Sequence, residues 1–148
     1  MSVTGIIRDL LGVWTHRNNS SLFGYIGQFW KYLQINKGNL TSAVLAGDFN
    51  SSAIWDSGDR WWNHSDVVEE LSGLGIKSVY HQQTGEMHGK ESIPTLYFQK
   101  KISRPYHIDY VFSPEKFLQR KKKIEIGKVE DWLGLSDHMP ILYEFDSH

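Results

Sequence analysis

Cysteine is absent from the 148 residues, which excludes disulfides, thiolate zinc sites and cysteine nucleophiles together. Charge of one sign is missing as well. Sixteen Lys and Arg stand against 17 Asp and Glu, for a formal net charge of -1. A chain so balanced has no global basic field to draw it to a polyanion, so any phosphate site must be built locally. No apolar run approaches the ~18 residues of a membrane span. Arg8 and Asp9 interrupt the apolar start of the chain, which does not read as a secretory signal. The expectation is a cytoplasmic protein without membrane contact. Internal repeats, low-complexity tracts and linkers are also lacking.

What is present suits one globular domain: 40% hydrophobic and 22% charged residues are enough for a real core at this length. Leu10–Thr15 has the apolar run of a buried strand. Tyr25, Ile26, Phe29, Trp30 and Leu33 share one helical face, with Ser20 or Ser21 as N-cap. Asn36–Asn39 reads as a loop and Ala43–Ala46 as a buried strand. A Trp-rich loop runs from Ser51 to His64. Asn63 or Ser65 caps a second helix, with Asp66 in its first turn, an apolar face of Val67, Val68, Leu71 and Leu74, and Gly73 and Gly75 at its end. Ser78–Tyr80, Thr95–Phe98, Tyr106–Phe112, Ile124–Val129 and Ile141–Phe145 read as strands, and His81–Ile93 as a loop. Helices and strands interleave, so the predicted class is α/β with a mixed sheet.

Three stretches sit at the ends of predicted strands, where a rigid sheet can converge side chains from distant parts of a chain. They are Gly47-Asp48-Phe49-Asn50, His107-Ile108-Asp109-Tyr110 and Ser136-Asp137-His138-Met139-Pro140. Asp48 and Asn50, two apart on a strand, share a face. Their carboxylate and amide suit orienting a water and holding a phosphate oxygen. Asp137 is a hard oxygen ligand suited to magnesium, and a turn at Ser136 aims it and His138 at one pocket. His138 can donate to a phosphoryl oxygen while Asp109 holds its ring and stabilises the imidazolium, as in a catalytic triad. Each motif alone has an ordinary reading. Asp-x-Asn after a strand is commonly an Asx turn, and Asp-His before Pro is common loop chemistry. Asp109 is harder to dismiss, because Asp is depleted in strands.

LAGDFN, HIDYVF and LSDHMPILYEF, in that order, resemble the C-terminal half of the endonuclease/exonuclease/phosphatase superfamily. That group includes exonuclease III-like, DNase I-like, sphingomyelinase and inositol-phosphatase enzymes. The resemblance covers roughly residues 10 to 145. It implies that Asp48 positions the attacking water, Asn50 contacts the scissile phosphate, Asp109 orients the histidine, His138 stabilises the transition state and Asp137 binds Mg2+ or Mn2+. His16, in VWTHRNN, resembles the histidine of a Thr-His strand in DNase-like members. The family begins with an Asn-bearing strand and a strand ending in Gln-Glu, whose Glu is the main metal ligand. Nothing before Leu10 matches either. The resemblance therefore implies residues 1–148 as one partial domain, half of a four-layer αββα sandwich with helices on one face and the other face bare. Self-association as a dimer, or a partner supplying the missing half, follows as an expectation.

Substrate clues are sparse. Trp55, Trp61 and Trp62 follow the Gly-Asp-Phe-Asn motif and suit either base stacking or packing of the loop. Arg104 is well placed for a substrate phosphate, whereas the run Arg120–Lys123 suits phosphate contact or a solvated surface. His64 can line the pocket or cap the helix, and His64, His81 and His88 lack zinc-ligand spacing. The expected function is metal-dependent hydrolysis of a phosphodiester, in nucleic acid first. A phosphomonoester or lipid substrate, or a non-catalytic interaction module, are the alternatives.

Overall fold

Ile26, Phe29 and Leu33 bury as one face of helix α1 (Tyr25–Asn36) in the computed structural model, which describes residues 24–119 and 122–145. Gly24 occupies the N-cap position. The strand expected over Leu10–Thr15, the caps Ser20 and Ser21, and His16 all lie outside the described residues. The expected loop at Asn36–Asn39 is a 3-10 turn, Lys37–Asn39. Strand β1 (Leu45–Asp48) and a 3-10 turn (Ala53–Trp55) lead to helix α2 (His64–Gly73).

Asn63 and Asp66 close α2 with a capping box that satisfies two helix-end N–H groups reciprocally. The Asn63 N–H donates to Asp66 Oδ2 at 2.6 Å. Gly75, with φ of 70°, turns the chain into β2 (Ile76–Ser78). Helix α3 (Val79–Thr84) follows and stops at Gly85, which adopts φ of 74°. The loop expected from His81 is thus helical for its first turn. Six residues are too few to show a 3.6-residue apolar period. The remaining elements are β3 (Leu96–Tyr97), β4 (Pro105–Tyr106), β5 (Asp109–Pro114), α4 (Glu115–Leu118), β6 (Lys122–Ile126), α5 (Val129–Trp132) and β7 (Ile141–Phe145).

The class is mixed α/β, as expected, but the strands form three small sheets: β1-β5-β2, β3-β4 and β6-β7. A mixed sheet was the expectation, yet every described strand pair is antiparallel. The reason is topological. β1, α2 and β2 form a crossover whose two strands run parallel, and β5 inserts between them antiparallel to both.

Successive residues of β5 feed two apolar clusters. Tyr110 and Phe112 pack with Leu45 and Ile76 beneath Phe29 and Leu33 of α1 and Val67 and Leu71 of α2. Val111 packs with Val79 and Tyr80 of α3, Leu118 of α4 and Ile124 of β6, with Ile126, Ile141, Tyr143 and Phe145 alongside. This corrects the expectation of helices on one face and a bare opposite face. The second face carries α3, α4 and the β6–β7 hairpin, because the hairpin turns Ile124 and its neighbours inward.

Candidate active site

The Gly-Asp-Phe-Asn segment is a small device in which each residue has a separate task. Gly47 sits at φ of 145°, a conformation that residues with a Cβ avoid. A Cβ there would meet no atom within 4 Å, so the requirement is conformational and not spatial. Phe49 is buried with its ring 5.4 Å from Phe29, 5.6 Å from Tyr110 and 5.3 Å from Phe112. Its N–H donates to Ile108 O at 2.9 Å. Asn50 adopts φ of 46°, the left-handed region that Asn tolerates better than most residues. Its backbone N–H and its side-chain amide donate to the two oxygens of Asp48 at 2.7 and 2.8 Å. The Asx-turn reading and the site reading of Asp48 therefore describe one arrangement: the turn braces the carboxylate. The Asn50 amide is turned to Asp48 here, where the resemblance gave it to a phosphate.

Asp48 stands directly opposite Asp109 in the β1–β5 register. Asp109 lies 3.0 Å from His138 Nδ1 through Oδ2 and 3.2 Å through Oδ1. Thr95 joins the two segments that carry this pair. Its hydroxyl accepts the N–H groups of Ile108 and Asp109, both at 3.0 Å, and its carbonyl accepts the Met139 N–H at 2.7 Å. The Ser136 hydroxyl accepts the His138 N–H at 3.0 Å, the turn that the sequence suggested. Thr95 was legible only as the start of a strand. Its positioning role has no local sequence signal, since its partners lie 13 or more residues away.

Burial raises Asp109 above the ordinary carboxylate range, against the pull of the His138 charge and the Thr95 hydroxyl. Burial lowers His138, but Asp109 and then Asp48 and Asp137 outweigh it, so His138 is raised above the ordinary imidazole value. The direction for His138 governs the pair near neutrality, because its three carboxylate neighbours all favour the imidazolium.

Asp48, Asp109 and His138 each offer a ligand atom within 4.8 Å of the others. No glutamate belongs to this group among the described residues. Asp137 lies beside it: its carbonyl accepts the Tyr97 N–H at 2.8 Å, and its charge reaches His138. Two carboxylates at one spot suit a hard cation such as magnesium. The fit is partial, because both oxygens of Asp109 face His138 and both oxygens of Asp48 accept from Asn50, so a metal would have only their remaining lone pairs. No family model and no curated protein matches the chain.

A groove of about 300 Å³ opens beside Asn50, lined by Trp55, Leu96, Phe98, Tyr106 and Ile108. Trp55 is half-exposed and rests against Tyr106, with ring centroids 5.3 Å apart. A larger groove of about 500 Å³ lies between α1 and α2 near Trp30, Trp61 and Glu69, and shares no residue with the site. Trp61 and Trp62 meet edge to face at 5.2 Å. Arg104 is exposed, and among the described residues its backbone bonds to Phe98 and Lys101. Of the basic run, Arg120 and Lys121 lie outside the described residues, and Lys123 pairs with Glu125.

His64 departs most from expectation. It is 1% exposed, neither capping the helix nor open to a phosphate, because its ring packs 4.7 Å from Tyr110 and Asn63 takes the cap. It belongs to a cluster with His81, His88, His107 and Glu91. Burial, ahead of all other causes, pushes His64 down to about 4 and His88 to about 3, and it lowers His107 as well. Burial pulls Glu91 upward, but hydrogen bonds from His81 and the Gly89 N–H outweigh it and hold the carboxyl at about 2.

Proposed function

We propose that this chain is a metal-dependent phosphodiester hydrolase of the endonuclease/exonuclease/phosphatase type, acting on nucleic acid. The observation that carries the reading is the His138–Asp109 pair facing the braced Asp48 across one strand register. An imidazolium, its orienting acid and a second carboxylate held in place are the parts that in-line attack of water on phosphorus uses.

In this reading Asp48 accepts a hydrogen bond from the attacking water and aligns it. Asn50 fixes the carboxylate so that little reorganisation remains at the moment of attack. Asp109 accepts the Nδ1–H of His138 and leaves Nε2–H to donate to a phosphoryl oxygen as negative charge develops there. Magnesium or manganese, when bound, supplies positive charge against the phosphoryl oxygens, with Asp48 as the holding carboxylate and Asp137 as the residue proposed to join it. Turnover is expected to be slow, since a site with so few free carboxylates holds magnesium weakly. The half-exposed Trp55 and the groove beside Asn50 favour a substrate carrying bases over a bare phosphomonoester, because an aromatic face stacks any base.

A substrate panel tests the reading. With manganese present, single-stranded and duplex oligonucleotides should be cut slowly, and a phosphomonoester should not be hydrolysed. His138→Gln should reduce the rate by about 100-fold, the scale of losing an acid or charge stabiliser. Preference for the phosphomonoester would reassign the substrate. Binding of oligonucleotide without cleavage would make the chain a non-catalytic module.

A further inference from the structure

The histidine cluster lies apart from the residues assigned above and has the composition of a metal centre. We propose that His81, His88 and Glu91 form a second metal site, for zinc or a similar borderline cation, which fixes the loop leading to Thr95. The three residues offer ligand atoms within 4.8 Å of one another. Two imidazole nitrogens with one carboxylate oxygen is a zinc-type donor set, unlike the oxygen-rich group around Asp48.

The surroundings match what a ligand shell requires. A metal-ligating histidine has its other ring nitrogen held by a hydrogen bond. His81 Nδ1 lies 2.7 Å from the Ser78 hydroxyl, and His88 Nδ1 lies 3.2 Å from His64 Nε2. With its Nδ1–H directed at His64, His88 presents Nε2 to a cation, and at His81 a cation would take the place of the proton between Nε2 and Glu91. The Glu91 Oε1 atom accepts the Gly89 N–H at 3.0 Å and lies 3.1 Å from His81 Nε2. Gly89 is itself pinned. It adopts φ of 82°, and a Cβ there would come within 3.3 Å of the Ala53 Cβ. The loop between the ligands is therefore fitted to its place.

Two further atoms point the same way. His107 Nδ1 donates to Ile93 O at 2.7 Å, which leaves Nε2 with the lone pair. That nitrogen is buried without a hydrogen-bond partner among the described residues, and so is His64 Nδ1, which carries the ring proton when Nε2 accepts from His88. His107 is 5% exposed, and its ring centroid is 6.2 Å from that of His81. A buried lone pair without a donor loses its hydration and gains no bond in return, which packing alone does not explain. The opposing account is that the cluster is only core. The rings of His81 and His88 stack at 3.5 Å and 17°, beside Tyr110 at 6.3 and 6.0 Å.

Zinc titration of the full chain, first stripped with a chelator, separates the two accounts. One equivalent should bind tightly, cobalt in its place should give the visible ligand-field bands of a low-coordinate nitrogen–oxygen site, and zinc should shift the ring resonances of His81 and His88. His88→Gln and Glu91→Gln should each weaken zinc by at least about tenfold, the minimum expected even for a supporting residue. Asp48→Asn should leave this equivalent in place. Absence of zinc binding by the unaltered chain would overturn the proposal, and this outcome does not depend on any variant folding. Binding lost with Asp48→Asn and kept in both other variants would do the same, by placing the zinc at the other site.

Discussion

Burial pulls the His138 imidazole down, and three carboxylates outweigh it and hold it above the ordinary value. The residue-scale consequence is a histidine that stays cationic above the ordinary range. Its stabilising pair with Asp109 is fully present below about pH 6.5, the unfolded value, and is lost as pH rises through the raised folded value. Proton NMR of the ring should give a midpoint above 6.5, and Asp109→Asn should bring it back down. A wild-type midpoint below 6.5 would remove the imidazolium from the mechanism. Thr95 is the second residue to test. Thr95→Val keeps the volume but leaves two N–H groups without their acceptor, at a cost of about 1–3 kcal/mol. Urea unfolding should show that loss, and turnover should fall with it. Asp48, Asn50, Asp109 and His138 were legible as residues because Asp is rare in strands and Asp-x-Asn marks a turn. Thr95 and the Asn50 brace were not, since a hydroxyl's role depends on which N–H groups the fold brings to it.

Among elements, the segment after β1 holds the site because it is tied to the core. Phe49 fills the space among Phe29, Tyr110 and Phe112, so Phe49→Ala should destabilise the chain by about 3–5 kcal/mol. Chemical denaturation measures this directly. A loss under about 1 kcal/mol would mean that Phe49 does not anchor the motif. Helices α1 and α2 are legible in the sequence from their apolar stripes, and Asn63 and Asp66 as the start of α2. Helix α3 is too short for periodicity to show it. The histidine cluster is not legible, because its members come from α2, α3, the loop after it and the approach to β5. Their spacing along the chain matches no local zinc motif, and only the fold brings the rings together.

At the scale of the whole molecule, the face expected to be bare carries the β6–β7 hairpin. That weakens the motive for a two-fold dimer, which stands as a proposal for light scattering to decide. No helix among the described residues is long and apolar enough to cross a membrane. The histidine cluster sets the expected pH response of the metal-free chain. His64 and His88 have folded values of about 4 and 3, below the unfolded value of about 6.5. Below pH 6.5 the unfolded chain therefore takes up protons that the folded chain refuses, and stability falls with pH in that window. Linkage puts the loss between pH 7.5 and 5 on the order of 1–2 kcal/mol for one such histidine, read as a lower denaturation midpoint at pH 5. An unchanged or higher midpoint in His138→Gln, where the opposing contribution of His138 is removed, would show that the cluster is not buried neutral.

The braced Asp48 and the His138–Asp109 pair are proposed to form one hydrolytic site. Its most direct test is the manganese-dependent cleavage rate of a short oligonucleotide by the unaltered chain and by Asp48→Ala, with circular dichroism confirming that both are folded. Slow cleavage that requires the metal and falls to background in Asp48→Ala is the predicted result. Cleavage that persists in Asp48→Ala, or that proceeds equally with the metal removed, would contradict it.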